Sequence, residues 1–177
     1  MPVVSIFSGT YCLDEEVTAG VARNLDHRLI ADEEVIAQAA GHCDLPEEKL
    51  RQAMHGQLSI FSRFTREKER AVAYLREAIA ELALADNVVH RGFAGHLLPG
   101  YISHVLKVCL VAGQEFRIAR AAGDAGQAKG KVKRRIQQED LARSQWTAFL
   151  FQRGPWDRRL YDIKIPCTRP RWSMPSI

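Results

Sequence analysis

Apolar positions in this chain alternate between two spacings, short unbroken runs and helical stripes. Residues 3–7, Val-Val-Ser-Ile-Phe, form a run of strand length, read as a buried strand. A loop over residues 8–13 follows, and then Asp14, Val17, Val21 and Leu25 recur at helical spacing. Residues 28–31 predict a second strand. Residues 32–40 and 46–54 predict short helices, the second opened by Asp44 as cap with Pro46 in its first turn. Phe61, Phe64, Val72, Leu75, Ile79 and Leu82 fit one stripe of a long helix ending near Asp86. Residues 87–90 predict a brief strand, and residues 105–111 a central one with Lys107 inside it. Residues 115–122 predict a helix closed by Gly123. A basic helical stretch runs from Gln127 towards Leu150, with Val132 and Ile136 early and Trp146, Phe149 and Leu150 late. Residues 161–165 predict a last strand.

Strands alternating with helices predict an α/β fold of three layers, α/β/α, with a central parallel sheet. Ligands of such folds sit outside the carboxyl ends of the strands. That points to the loops after Phe7, His90 and Val111.

Composition narrows the class without naming an activity. The 177 residues are 46% hydrophobic and 26% charged, the balance of a globular domain. A chain of this size buries roughly 70% of its extended surface, so its core needs no disulfide or metal support. No apolar run reaches the length of a membrane span, and residues 1–7 lack the basic start of a secretory signal. Cys12, Cys43, Cys109 and Cys167 have no metal or redox spacing and read as reduced thiols of a cytoplasmic protein. The six histidines are scattered, and no metal site is expected.

Charge is unevenly placed. Residues 1–60 carry 4 Lys/Arg and 10 Asp/Glu, residues 61–126 carry 9 and 7, and residues 127–177 carry 12 and 4. The net +4 therefore hides an acidic front and a basic back. The densest block is Lys129, Lys131, Lys133, Arg134 and Arg135. It reads as a solvated helix face or as a surface for a phosphorylated ligand, with no recognised nucleic-acid motif around it.

Five stretches, in order, carry a resemblance. They are Val4-Ser-Ile-Phe with the helix ending Val21-Ala-Arg-Asn-Leu25; Arg28-Leu-Ile-Ala-Asp-Glu-Glu-Val-Ile36; Val88-Val-His-Arg-Gly92; Glu115-Phe-Arg-Ile-Ala-Arg120; and Asp140-Leu-Ala-Arg143 with Trp156 and Tyr161-Asp-Ile-Lys-Ile165. Together, over residues 3–165, they resemble the cytidylate kinase-like family, a branch of the P-loop nucleoside monophosphate kinases. The resemblance implies one domain over residues 1–165, with a helical lid at about 123–155. It implies transfer of the γ-phosphoryl group of ATP, with Mg²⁺, to CMP or a related monophosphate. Arginine suits such work because its guanidinium fork matches phosphate oxygens and keeps its proton. On matching positions the resemblance makes Asp32, Arg91 and Gly92 nucleotide-binding, with Arg91 facing the acceptor, puts Arg117 and Arg120 near the phosphates, and gives Arg134, Arg135 and Arg143 to the lid. A homodimer is a further expectation, and neither a membrane nor a nucleic acid is expected as partner.

The sequence departs from that family at the phosphate loop, Ser8, Gly9, Thr10, Tyr11, Cys12, Leu13, Asp14 and Glu15. A phosphate cradle needs glycines so that bare N–H groups can approach the anion. Here Tyr11, Cys12, Leu13 and Asp14 stand where the family has its glycine run, and only Gly9 remains. Asp14, Glu15 and Glu16 favour the helix start but oppose a triphosphate. The first lysine of the chain is Lys49, and Gly130-Lys131 does not complete a phosphate-loop signature. The carboxylates could instead hold Mg²⁺; a degenerate loop is the plainer reading. Residues 166–177 lack the family's character and any helical period, which suggests a frameshifted end in which Arg169 and Arg171 are accidental. Three functions remain open: a nucleotide kinase with an unusual loop, a non-catalytic nucleotide-binding or regulatory relative, and a nucleic-acid binder through the basic back third.

Overall fold

A computed structural model describes residues 3–55, 65–125 and 128–167, with the side chains of 65 and 122–125 left aside. Phe61, Phe64, Gln127 and the tail 168–177 lie outside the described residues. The elements in chain order are β1 (Val3–Ser8), α1 (Asp14–Leu25), β2 (Arg28–Ala31), α2 (Asp32–Gly41), α3 (Glu47–His55), α4 (Thr65–Leu84), β3 (Val88–Arg91), β4 (Val105–Val111), α5 (Gln114–Ala125), α6 (Lys129–Phe151) and β5 (Ile163–Pro166). Short 3₁₀ turns sit at Ala94–Leu97 and Arg158–Leu160.

The five strands form one parallel sheet in the order β2-β3-β1-β4-β5, the expected three-layer α/β/α arrangement. β1 is central and buried on both faces, which is why Val3 to Phe7 is nearly all apolar. Val4 and Ile6 face α1, in a cluster with Val89, Val108 and Leu110. Val3 and Phe7 face the larger core, which holds residues of α2, α3 and α4 and the late turns of α6. Pro166, which cannot donate to a ladder, sits at the outer strand β5. No described helix is long and apolar enough to cross a membrane.

Two elements differ from the sequence expectation for physical reasons. The face of α1 turned to the sheet is centred on Thr18 and Ala22, with Val17 and Val21 flanking and Leu25 exposed. Thr18 hides its hydroxyl by donating to the Asp14 carbonyl at 2.6 Å, so a polar residue fills a core position. α5 runs through Gly123 to Ala125. A helical glycine costs only about 1 kcal/mol relative to alanine and ends a helix only when its backbone turns left-handed. Within the stretch 123–155 that the resemblance gives to a lid, Arg143, Trp146 and Thr147 are buried, and the Trp146 indole donates to the Phe93 carbonyl at 3.1 Å. α5 and the first turns of α6 share a small separate cluster of Ala121, Val132 and Ile136.

Candidate functional site

β1 ends at the centre of the sheet, so the loop after Ser8 opens onto both sides of the strand order. The Gly9 N–H donates to the Leu110 carbonyl at 3.1 Å, and the Cys12 N–H returns to the Gly9 carbonyl at 3.2 Å. A Cβ on Gly9 would meet Cys12 Sγ at 2.9 Å and Arg117 Cζ and Trp156 at 3.4 Å, so this glycine is fixed by crowding. Tyr11 and Leu13 adopt left-handed backbone, φ 61° and 62°. For residues with a Cβ that conformation costs roughly 1–2 kcal/mol each. The loop thus keeps a tight-turned path without the glycines that make it cheap. Tyr11 is held by packing against the Ala121, Val132 and Ile136 cluster. Burial pushes the Cys12 thiol up to about 11, against the pull of the nearby Arg117 charge.

α1 begins on three carboxylates, Asp14, Glu15 and Glu16, and Leu13 supplies no side-chain cap. Burial raises the Asp14 carboxyl above its ordinary range, despite its own backbone N–H and Arg91. Around this helix start the arginines converge, and each that reaches the loop has a carboxylate of this chain beside it. Arg91 Nη1 lies 3.0 Å from Glu15 and 3.7 Å from Asp14. Arg120 pairs with Glu16. Arg117 grips Asp140 in a bidentate pair at 2.7 and 2.8 Å and donates from Nε to the Thr10 carbonyl at 2.7 Å. Arg143 donates from Nε to the Ser8 carbonyl at 2.7 Å, and lies 3.6 Å from Glu139 and 5.4 Å from the centre of the Phe93 ring. Arg135 donates to Glu139 at 2.9 Å, and Thr10 donates its hydroxyl to the same carboxylate at 2.5 Å.

Two clefts meet at the loop. One of about 370 Å³ runs over Thr10, Tyr11 and Glu16 between Arg120 and Arg135. The other, of about 160 Å³, lies over Ser8, Arg91 and Gly92. Asp14 and Arg143 line both. The structure therefore gathers Arg91, Gly92, Arg120, Arg135, Arg143 and the loop, with Arg117 behind it. Arg134 is exposed on α6 and lines neither cleft.

Asp32 borders the smaller cleft, yet its carboxylate is committed. It accepts from the Phe93 N–H at 2.7 Å, the Ala94 N–H at 2.9 Å and His90 Nε2 at 3.1 Å. Burial alone would raise this carboxyl; the His90 hydrogen bond and charge, with His55 and the Phe93 N–H, bring it below the ordinary value. His90, where the resembling family has glycine, is fully buried between Asp32 and Ser5. The sequence reading missed Glu139 and Asp140. The signal was present on α6, where Glu139 is four residues from both Arg135 and Arg143.

A parallel sheet with a helix-starting loop at its central strand, ringed by arginines, defines a P-loop kinase-like α/β protein. Comparison with known proteins narrows the class. The chain belongs to the cytidylate kinase-like family, whose model matches residues 3–169. Among solved structures it is similar to an uncharacterized protein from Eubacterium ventriosum, at 12% identity and a TM-score of 0.65, covering 94% of this chain and 88% of that one. It is also similar to shikimate kinase from Bacteroides thetaiotaomicron, at 13% identity and a TM-score of 0.51, covering 94% and 86%. At such identities the likeness speaks for the fold alone. No curated protein matches the chain.

Proposed function

We propose that this chain is a nucleotide-binding member of its family in which phosphoryl transfer from ATP to CMP or a related monophosphate is impaired, and that it works by binding. The observation that carries this reading is the internal pairing of the clamp. Arg91, Arg117, Arg120, Arg135 and Arg143 each stand beside a carboxylate of the chain, at the loop where phosphate oxygens would compete for them.

ATP and Mg²⁺ come with the family resemblance, and the residues present fit them poorly. A triphosphate would meet Asp14, Glu15 and Glu16 at the start of α1, with Tyr11 and Leu13 adding bulk where a nest of bare amides is needed. The smaller cleft is better suited to a monophosphate, because Arg91 there is about a third exposed and its nearer carboxylate, Glu15, is exposed to solvent.

Calorimetric titration with CMP and with ATP–Mg²⁺ separately, together with an ADP-release assay, tests the reading. The expected result is saturable CMP binding, weak ATP binding and no turnover. Phosphoryl transfer at about 1 s⁻¹ or faster, the range of working kinases, would overturn it. The double variant Leu13→Gly, Asp14→Gly frees the loop and removes a charge, and is expected to raise ATP affinity at least tenfold. An unchanged affinity would show that the loop is not what excludes the triphosphate.

A further inference from the structure

Away from the loop, on the α4 side of the sheet, lies the roomiest of the described clefts, about 630 Å³, within the range of small-molecule sites. Leu98, Pro99, Val105, Phe151 and Leu160 contribute its apolar walls, and Tyr101 stands at its margin, 87% exposed. Lys107 reaches this cleft from the middle of β4. Its ammonium donates to the Leu98 carbonyl at 2.5 Å, and the Asp162 charge acts on it from beyond contact distance. The carboxylate in the cleft, Asp162, accepts the backbone N–H of Lys107 at 2.7 Å. Arg153 and Arg159 both turn to Asp157, at 3.3 and 2.7 Å. His96, 6% exposed, borders the cleft with Nδ1 lacking a hydrogen-bond partner, and its Nε2 meets the Tyr161 hydroxyl at 3.1 Å.

We propose that this cleft is a second ligand site, separate from the nucleotide clefts, that takes a small organic monocarboxylate with an apolar or aromatic body. A half-buried ammonium with no carboxylate in contact, Asp162 acting on it only from a distance, is costly, and an arriving carboxylate offsets that cost. With Asp162 already in the cleft, one arriving negative charge suits it better than two. A phosphate dianion would leave its second charge to the exposed Arg76 or to arginines already paired. The apolar walls receive the body of the ligand, which inorganic anions lack.

Benzoate is the probe, with benzamide as its neutral counterpart and inorganic phosphate as the ion without a body. Titration of the full chain, followed by backbone amide shifts, should show saturable benzoate binding centred on Leu98, Tyr101, Lys107 and Tyr161, and at least tenfold weaker benzamide binding. CMP should leave the benzoate affinity unchanged. Lys107→Met should abolish the preference for benzoate over benzamide. Should that variant not fold, Tyr101→Ser, at an exposed position, should weaken both probes alike, about threefold. The assignment is overturned by non-saturable shifts, by shifts centred on Thr10 to Glu16, by phosphate binding as tightly as benzoate, by competition from CMP, or by a Tyr101→Ser variant that binds both probes unchanged.

Discussion

At Gly92 the backbone has φ 143°, and a Cβ would lie 2.3 Å from the Asp32 carboxylate that anchors the loop after β3. Gly92→Ala therefore combines backbone strain with a clash against a buried, hydrogen-bonded group. It is expected to cost about 3 kcal/mol or more, read as a lower urea midpoint and a weakened response to CMP. His96 carries a pH prediction. Burial, reinforced by the Lys107 charge, lowers its imidazole to about 3 from an ordinary 6.5. The folded chain keeps the ring neutral, while the unfolded chain takes up a proton below 6.5, so stability falls with falling pH from about 6.5 down to 3. The local slope approaches about 1.4 kcal/mol per pH unit. Urea unfolding at pH 7, 6 and 5 should show this loss, and His96→Phe should reduce it; equal slopes would place the acid sensitivity elsewhere. The sequence marked Asp32 and Gly92 as a nucleotide contact because they resemble one. It could not show that the two sit against each other, since 60 residues separate positions that only sheet pairing brings together.

On α6 the pattern was easier to see in outline than in detail. The long basic helix is evident from its spacing, but the alternation of Arg135, Glu139, Asp140 and Arg143 matters only once the loop lies against it. Glu139 serves Arg135, Arg143 and Thr10, and Asp140 serves Arg117. If these carboxylates stand in for phosphate, Glu139→Gln should raise affinity for ATP or for inorganic phosphate about tenfold by releasing guanidinium groups. Calorimetry decides: a weaker or unchanged affinity would make the pairing a brace for the loop rather than a substitute for a ligand. The first turn of α6 makes a separate case. Lys129 and Lys131 are exposed there, at the end of the helix whose dipole disfavours cations, and Lys133 is exposed just beyond. Lys129→Glu with Lys131→Glu should stabilise the chain by about 0.5–1 kcal/mol in low salt and less in high salt. A lower melting temperature would mean that the lysines have partners in solution.

Across the whole molecule, the features that depend on local spacing were legible and those that depend on long-range pairing were not. All five strands and the three-layer order follow from runs and stripes a few residues long, because β1, β3 and β4 must be apolar to be buried. The clefts arise from contacts such as Thr10 with Glu139 and Arg143 with Ser8, more than a hundred residues apart, which no local pattern records. Charge shows the same division. The acidic front of the chain supplies Asp14, Glu15 and Glu16 to Arg91 and Arg120 of the middle stretch, so part of its negative charge is neutralised at the loop. Exposed cations remain in the back third, among the described residues, at the start of α6 and at Arg158, Arg159 and Lys164, with no recognised nucleic-acid motif around them. Binding to an oligonucleotide duplex should therefore be of the non-specific kind, weaker than about 10⁻⁶ M at physiological salt and indifferent to sequence. CMP binding, which exchanges one anion for another at Arg91, should vary far less with salt. A fluorescence-anisotropy salt series on both ligands separates the two, and tight, sequence-selective duplex binding would move the function of this chain from the loop to α6.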